Sequence, residues 1–199
     1  MDSYKTLKFV LKPIFKILYR PTIINKEKIP TEKAFIFAGN HKNALDPALV
    51  ALSTKRIVRF LAKKELLEGK TKLFFKAIKA IPVDRKHTSV SAVDTAIKIL
   101  KDNGVISLFP EGTRNKTNKI LLPFKFGAVS MAQKTKSPIV PFAITGDYKL
   151  FRKGIKIEFG EPIDISKMEL QEANEYLMQK VEELIKKNIN GVKQWDMFL

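Results

Sequence analysis

The stretch Asn40-His41-Lys42-Asn43-Ala44-Leu45-Asp46-Pro47 carries the residue types for acid–base chemistry within one short segment. A histidine ring titrates near neutral pH. When a carboxylate accepts one ring N–H, the other nitrogen is left as a base. His41 and Asp46 can therefore form the half of a catalytic triad that activates a hydroxyl, without a protein nucleophile. Their flanks predict how they are held. Ala34-Phe35-Ile36-Phe37-Ala38-Gly39 is a strand-like apolar run, and Gly39 lets the backbone turn sharply after it. Asp46-Pro47 predicts a helix start, with Asp46 as N-cap and Pro47 as the first helical residue. His41 then lies on a strand-to-helix loop. The plainer alternative is that Asp46 is only a cap and His41 only a surface residue.

A second stretch bears on that choice. Val105-Ile106-Ser107-Leu108-Phe109 reads as a buried strand, and Pro110-Glu111-Gly112-Thr113-Arg114 follows it. Gly112 lets the backbone come close to a ligand. Arg114 offers parallel N–H donors to a phosphate. Glu111 has two open readings, an acceptor that positions a ligand and an ion-pair partner that holds Arg114. Asn-His-x4-Asp and Phe-Pro-Glu-Gly-Thr-Arg together resemble the glycerolipid acyltransferase family, most closely the bacterial 1-acylglycerol-3-phosphate acyltransferases. Ile81-Pro82-Val83-Asp84-Arg85 resembles the middle block of that family and Val140-Pro141-Phe142 its last. The four blocks stand in order from about residue 40 to residue 143. Asn43 departs from the Ser frequent at its place, and Lys79 stands where a small residue is common. Asn115 and Asn118 replace the usual Ser and Gly-containing turn, and Asn tolerates the left-handed backbone of such a turn.

The elements that must position these residues alternate along the chain. Helix is expected over 47–55, strand over 57–62, two helical pieces separated by Gly69 over 63–79, and a short strand over 80–83. Val90, Val93, Ile97 and Leu100 mark an amphipathic helix over 89–103, stopped by Gly104. Helix over 128–134 and strands over 139–144 and 155–159 follow. Ser166-Lys167-Met168-Glu169 is a capping box that opens a long helix ending near Asn188. Residues 21–33 are polar and punctuated by proline, a connection. Such alternation predicts a three-layer α/β fold with a central mixed, largely parallel sheet. Both loops follow strands, and ligands gather at strand ends in such sheets.

With 199 residues the chain is expected to form one α/β domain over 21–199, preceded by a membrane-associating helix over 1–20. It has no cysteine and only His41 and His87 as histidines, so a disulfide scaffold, a thiol nucleophile and a Cys/His zinc site are excluded. His87 lacks the context of His41 and reads as a surface residue. The net charge of +17 and pI near 9.9 favour an anionic partner. No aromatic RNA-recognition box or zinc finger is present, and the basic residues do not form one recognition helix, so nucleic acid is not expected. Lys5, Lys8, Lys12, Lys16 and Arg20 form one stripe of an N-terminal helix, with Leu7, Phe9, Val10, Leu11, Ile14, Phe15, Ile17 and Leu18 on the rest. Lysines interrupt the run too often for a membrane span or a signal peptide. An amphipathic helix lying in an anionic membrane interface fits, kinked or split at Pro13; packing of its apolar face on the domain is the other reading, and the two are compatible. The segment 63–79 and the apolar tail at Trp195, Met197, Phe198 and Leu199 can each pack on the domain or touch lipid.

The resemblance implies an O-acyltransferase of phospholipid synthesis at the cytoplasmic face of a membrane, peripheral or monotopic. Its acceptor is lysophosphatidic acid and its donor acyl-CoA or acyl-carrier protein, with no cofactor and no metal. It assigns His41 and Asp46 to catalysis and Arg85, Glu111, Gly112, Thr113, Arg114 and Lys125 to substrate. Glycerol-3-phosphate or another lysolipid as acceptor, and a non-catalytic basic binding protein, are the alternatives.

Overall fold

The computed structural model describes residues 3–68, 72–83 and 90–196. In chain order the elements are α1 (Ser3–Tyr19), β1 (Thr22–Ile24), β2 (Phe35–Gly39), α2 (Asp46–Ser53), β3 (Val58–Lys63), α3 (Lys64–Glu68), α4 (Lys72–Ala77), β4 (Ile81–Val83), α5 (Val90–Lys101), β5 (Val105–Leu108), α6 (Gly127–Thr135), β6 (Ile139–Gly146), β7 (Ile155–Phe159) and α7 (Leu170–Asp196), with one 3-10 turn at Lys26–Lys28. The strands form a seven-stranded sheet in the order β1-β7-β6-β2-β5-β3-β4. Every pairing is parallel except β6 with β7. The expected α/β architecture with a mixed, mostly parallel sheet is the one observed.

Side-chain alternation along the central strand builds the layers. Phe35 and Phe37 of β2 point to one face of the sheet, where they pack with Leu49, Val50 and Leu52 of α2 and Phe15 of α1. Ile36 and Ala38 point to the other, against residues of α5, α6 and α7 such as Ala96, Met131 and Leu177. All five β2 residues are buried, as a parallel strand covered by helices on both faces requires. The central strands therefore fix the two motif loops on a rigid frame.

Several local expectations change. Residues 22–24 are a strand, β1, paired in parallel with β7 at the sheet edge; Ile23 is drawn there by the apolar cluster of the α1 side, which no local pattern announces. Gly39 keeps a strand conformation, and its role is close approach: a Cβ there would lie 2.3 Å from the Phe142 carbonyl oxygen of β6. The left-handed residue closing α5 is Asn103, with φ 60°, and not Gly104. The Ser166 N–H donates to Asp164 Oδ1, and the first α7 backbone bond runs from Ala173 N–H to the Glu169 carbonyl. So α7 begins one turn after the capping box, at Leu170, and it runs past Asn188 to Asp196. Gly69 lies outside the described residues; α3 and α4 flank it.

Helix α1 runs unbroken through Pro13, which is exposed. Its inner face carries Tyr4, Phe15 and the half-buried Tyr19. Lys8 also turns inward: its ammonium donates to the Arg56 carbonyl at 2.9 Å. Burial, helped by the nearby Lys12 charge, lowers its pKa to about 8. Lys8 thus leaves the basic stripe. The outer face is apolar and open to solvent, with Phe9 82 %, Val10 50 %, Ile14 47 % and Ile17 62 % exposed. Leu73 of α4, a helix that packs beside α1, is 82 % exposed. Among the described residues no helix is long and apolar enough to cross a membrane.

Candidate active site

The His41 loop leaves the C-terminal end of β2, and the Glu111 loop leaves that of its neighbour β5. Parallel pairing brings both loops to the same edge of the sheet. Asn40 first ties the β2 end to β6: its side chain donates to the Ile144 carbonyl at 2.8 Å and accepts the Ile144 N–H at 2.7 Å. The chain then turns, and His41 is held on every side. Its ring stacks on Phe109 with centroids 4.1 Å apart and planes 21° apart. Its backbone N–H donates to Glu111 Oε1 at 2.8 Å, and its carbonyl accepts the Asn115 N–H at 2.7 Å. Its Nδ1 lies 2.9 Å from Asp46 Oδ2. The other ring nitrogen, Nε2, has no hydrogen-bond partner among the described residues. The histidine side chain is 17 % exposed and that of Asp46 0 %.

Asp46 is the first helical residue of α2, with Leu45 as N-cap. It does not cap the helix with its side chain, because the carboxylate faces back into the loop. Oδ2 accepts the N–H groups of Lys42 and Asn43, each at 2.7 Å, besides its contact with His41. Oδ1 accepts the Tyr148 hydroxyl at 2.8 Å. Both oxygens of the buried carboxylate are thus supplied with hydrogen-bond donors.

Glu111 is 4 % exposed. It accepts the backbone N–H groups of His41 and Leu122, both at 2.8 Å, and so pins two loops together. Burial raises its pKa above the ordinary carboxylate value, against the lowering effect of these bonds. Glu111 thus orders the site backbone, and it makes no ion pair with Arg114 among the described residues. Gly112 has φ 70°, and a Cβ there would lie 2.9 Å from Cε and 3.0 Å from Nζ of Lys125. Gly112 thus makes room for the Lys125 side chain. Arg114 and Thr113 are exposed, and Arg114 has no ion pair among the described residues. Asn115 keeps an ordinary φ and shapes the loop through its side chain, which donates to the Lys119 carbonyl and accepts the Thr117 N–H and hydroxyl.

The fold therefore brings Asp46 and Glu111 each into contact with His41; Gly112, Thr113 and Arg114 follow Glu111 in its loop, and the Lys125 side chain lies against Gly112. Arg85, with Asp84 and His87, lies outside the described residues. Asn40 was visible in the motif without a role, and its partner Ile144 was not. Tyr148 sits in a polar loop after β6 with no local signal of its function. Among the described residues no cluster of three or more His, Asp or Glu side chains could hold a metal ion.

The acyltransferase family model matches residues 20–145, which span both loops. The chain belongs to the acyltransferase family. It is an O-acyltransferase by its relatives as well. A 1-acyl-sn-glycerol-3-phosphate acyltransferase of Bacillus subtilis is 34 % identical over 194 residues, covering 91 % of this chain and 96 % of that one. One of Streptococcus pneumoniae is 31 % identical, covering 86 % of this chain and 67 % of that one. Among solved structures, the Thermotoga maritima 1-acyl-sn-glycerophosphate (LPA) acyltransferase PlsC superposes with a TM-score of 0.71 at 22 % identity, covering 92 % of this chain and 78 % of that chain. This acyltransferase thus shares that fold.

Proposed function

We propose that this acyltransferase moves a fatty acyl group from an acyl thioester to the free sn-2 hydroxyl of 1-acylglycerol-3-phosphate, giving phosphatidic acid, with His41 and Asp46 as its general-base dyad. The observation that carries the reading is the 2.9 Å contact between His41 Nδ1 and buried Asp46 in a chain of this family. The substrate is read from the names of the relatives and from the cations beside the dyad. Arg114 and Lys125 hold the acceptor phosphate, with Arg85 as a further donor, and Gly112 and Thr113 border it. That places the hydroxyl at His41 Nε2. The hydroxyl proton passes to Nε2 as its oxygen attacks the thioester carbonyl. The C–O bond forms, the C–S bond breaks, and the proton leaves on the thiol. Asp46 keeps the ring in one tautomer and stabilises the imidazolium. Positioned acid–base groups supply ~10²–10⁴-fold, so orientation of the acceptor by its phosphate carries much of the rest.

The proposed setting is the cytoplasmic surface of an anionic membrane. The outer face of α1, with Phe9, Val10, Ile14 and Ile17 exposed and lysines on its flank, supports it. The test is thiol release from acyl-CoA and from acyl-carrier protein in turn, with lysophosphatidate, glycerol-3-phosphate or lysophosphatidylcholine as acceptor. Lysophosphatidate is expected to be used best, and His41→Ala to abolish turnover while its thermal unfolding stays cooperative. Near-normal turnover by folded His41→Ala refutes the dyad; preference for another acceptor refutes the substrate.

A further inference from the structure

The Asp46 carboxylate has a second support, on the oxygen that His41 does not use. Oδ2 is filled by His41 Nδ1 and the two N–H groups of Lys42 and Asn43. Oδ1 accepts the Tyr148 hydroxyl at 2.8 Å. A carboxylate oxygen in a site of 0 % exposure has no water to replace that donor. The phenol stays protonated because burial and the Asp46 charge push its pKa above the ordinary tyrosine value. It can only donate.

Tyr148 is itself seated by the N-terminal helix. Its ring meets Phe15 edge-on at 6.2 Å and Tyr19 at 5.5 Å, and those two rings are 5.0 Å apart. The loop that carries Tyr148 is tied to the same helix end by the Phe151 N–H, which donates to the Leu18 carbonyl. It is tied to the His41 loop by Lys42, whose ammonium donates to the Gly146 carbonyl at 3.1 Å. A continuous set of contacts thus runs from the inner face of α1 through one aromatic cluster to the carboxylate of the dyad.

We propose that Tyr148 is a positioning residue for acyl transfer, seated on α1 by Phe15 and Tyr19 and fixing Asp46 from the side opposite His41. The proposal rests on the reading of His41 and Asp46 as the base. It gives α1 a part in turnover that is separate from any contact of its outer face with lipid. Loss of the hydroxyl frees the carboxylate to rotate and leaves Oδ1 without a donor, which weakens stabilisation of the imidazolium. Substrate binding is untouched, since Tyr148 reaches the reaction only through Asp46.

The experiment uses the full chain with a short-chain, water-soluble lysophosphatidate and a coenzyme A thioester, so that membrane binding plays no part. Tyr148→Phe keeps the ring and removes the hydroxyl. Its kcat is expected to fall roughly ten- to a hundredfold, the range of hydrogen bonds to charged groups, with KM for the acceptor within about twofold of wild type. A residue that only supported the fold would change the unfolding temperature and leave kcat per folded molecule alone. Tyr19→Leu keeps the hydroxyl but removes part of its seat, and it is expected to lower kcat in the same way; it carries the test should Tyr148→Phe not fold. Inactive His41→Ala beside folded Tyr148→Phe with wild-type kcat overturns the proposal and leaves the dyad standing. Wild-type turnover by folded His41→Ala overturns both.

Discussion

Replacing Asn40 by Asp hardly changes the volume and puts an acceptor where the amide donated to the Ile144 carbonyl, so its effect is chiefly electrostatic. Asn40 is 4 % exposed. One side-chain oxygen can still accept the Ile144 N–H. The other atom, now oxygen, faces the Ile144 carbonyl that the amide contacted at 2.8 Å. Two acceptors cannot share that separation while the carboxylate is charged. The group protonates instead, and the acid O–H then restores the bond to the carbonyl. Burial raises carboxylate pKa values by up to 3–5 units, and the Ile144 N–H, which favours the charged form, leaves a rise of about 2–3 units here. At ~1.4 kcal/mol per unit the variant is then about 3–4 kcal/mol less stable than wild type above the raised pKa. The sign follows from proton counts. The folded variant holds the proton that the unfolded chain releases above pH ~4, so its stability falls as pH rises through that window. In a chain of this size each kcal/mol moves the midpoint by ~2–4 °C, so the deficit at pH 8 is about 6–16 °C. Thermal unfolding of wild type and Asn40→Asp from pH 5 to 8 is the assay. The deficit should open as pH rises, with turnover falling in parallel because His41 follows Asn40 directly. A deficit independent of pH, or none at all, would refute the assignment of Asn40 as the clamp between β2 and β6.

Arg114→Ala should raise KM for phosphate-bearing acceptors by the equivalent of ~1.5–3 kcal/mol and leave unfolding unchanged, as Arg114 is exposed; steady-state kinetics with lysophosphatidate decides it, and an unaltered KM sinks the phosphate role. The α1 faces should separate: Phe9, Val10, Ile14 and Ile17 to Ser weakens vesicle co-sedimentation even at high salt, whereas Lys5, Lys12 and Lys16 to Gln reduces mainly its salt dependence. If both variants sediment like wild type, the outer face does not meet lipid. Lys8, lowered to about 8 in the folded chain, gives up its proton before the unfolded chain does, so wild-type stability gains a rising contribution between pH 8 and 10.5. Lys8→Met should lose that rise in pH-dependent unfolding; an unchanged slope would place Lys8 in solvent.

The alternation of strands and helices was legible in the sequence, because each central strand is a short apolar run bounded by turn residues, and that pattern is local. The contact between His41 and Asp46 was legible too, since the two share one loop whose length lets the carboxylate fold back onto the ring. The second loop was legible as a motif, and so was its place at a strand end. Other features needed partners far along the chain. Strand β1 exists through its pairing with β7, and its few residues carry no pattern of their own. Glu111 ties backbone to backbone because the loops from β2 and β5 meet, and the sequence offered only a ligand or Arg114 as its partner. An amphipathic stretch does not say which side faces the domain: docking buried Phe15 and Lys8 and left Phe9 and Ile17 outside, so the tertiary structure redrew both the basic stripe and the apolar face. The support of Asp46 by Tyr148, and of Tyr148 by α1, joins three segments separated by most of the chain. Local spacing sets which groups can reach one another within a turn or a loop; only the packing of distant segments decides which donor reaches the second oxygen of a buried carboxylate.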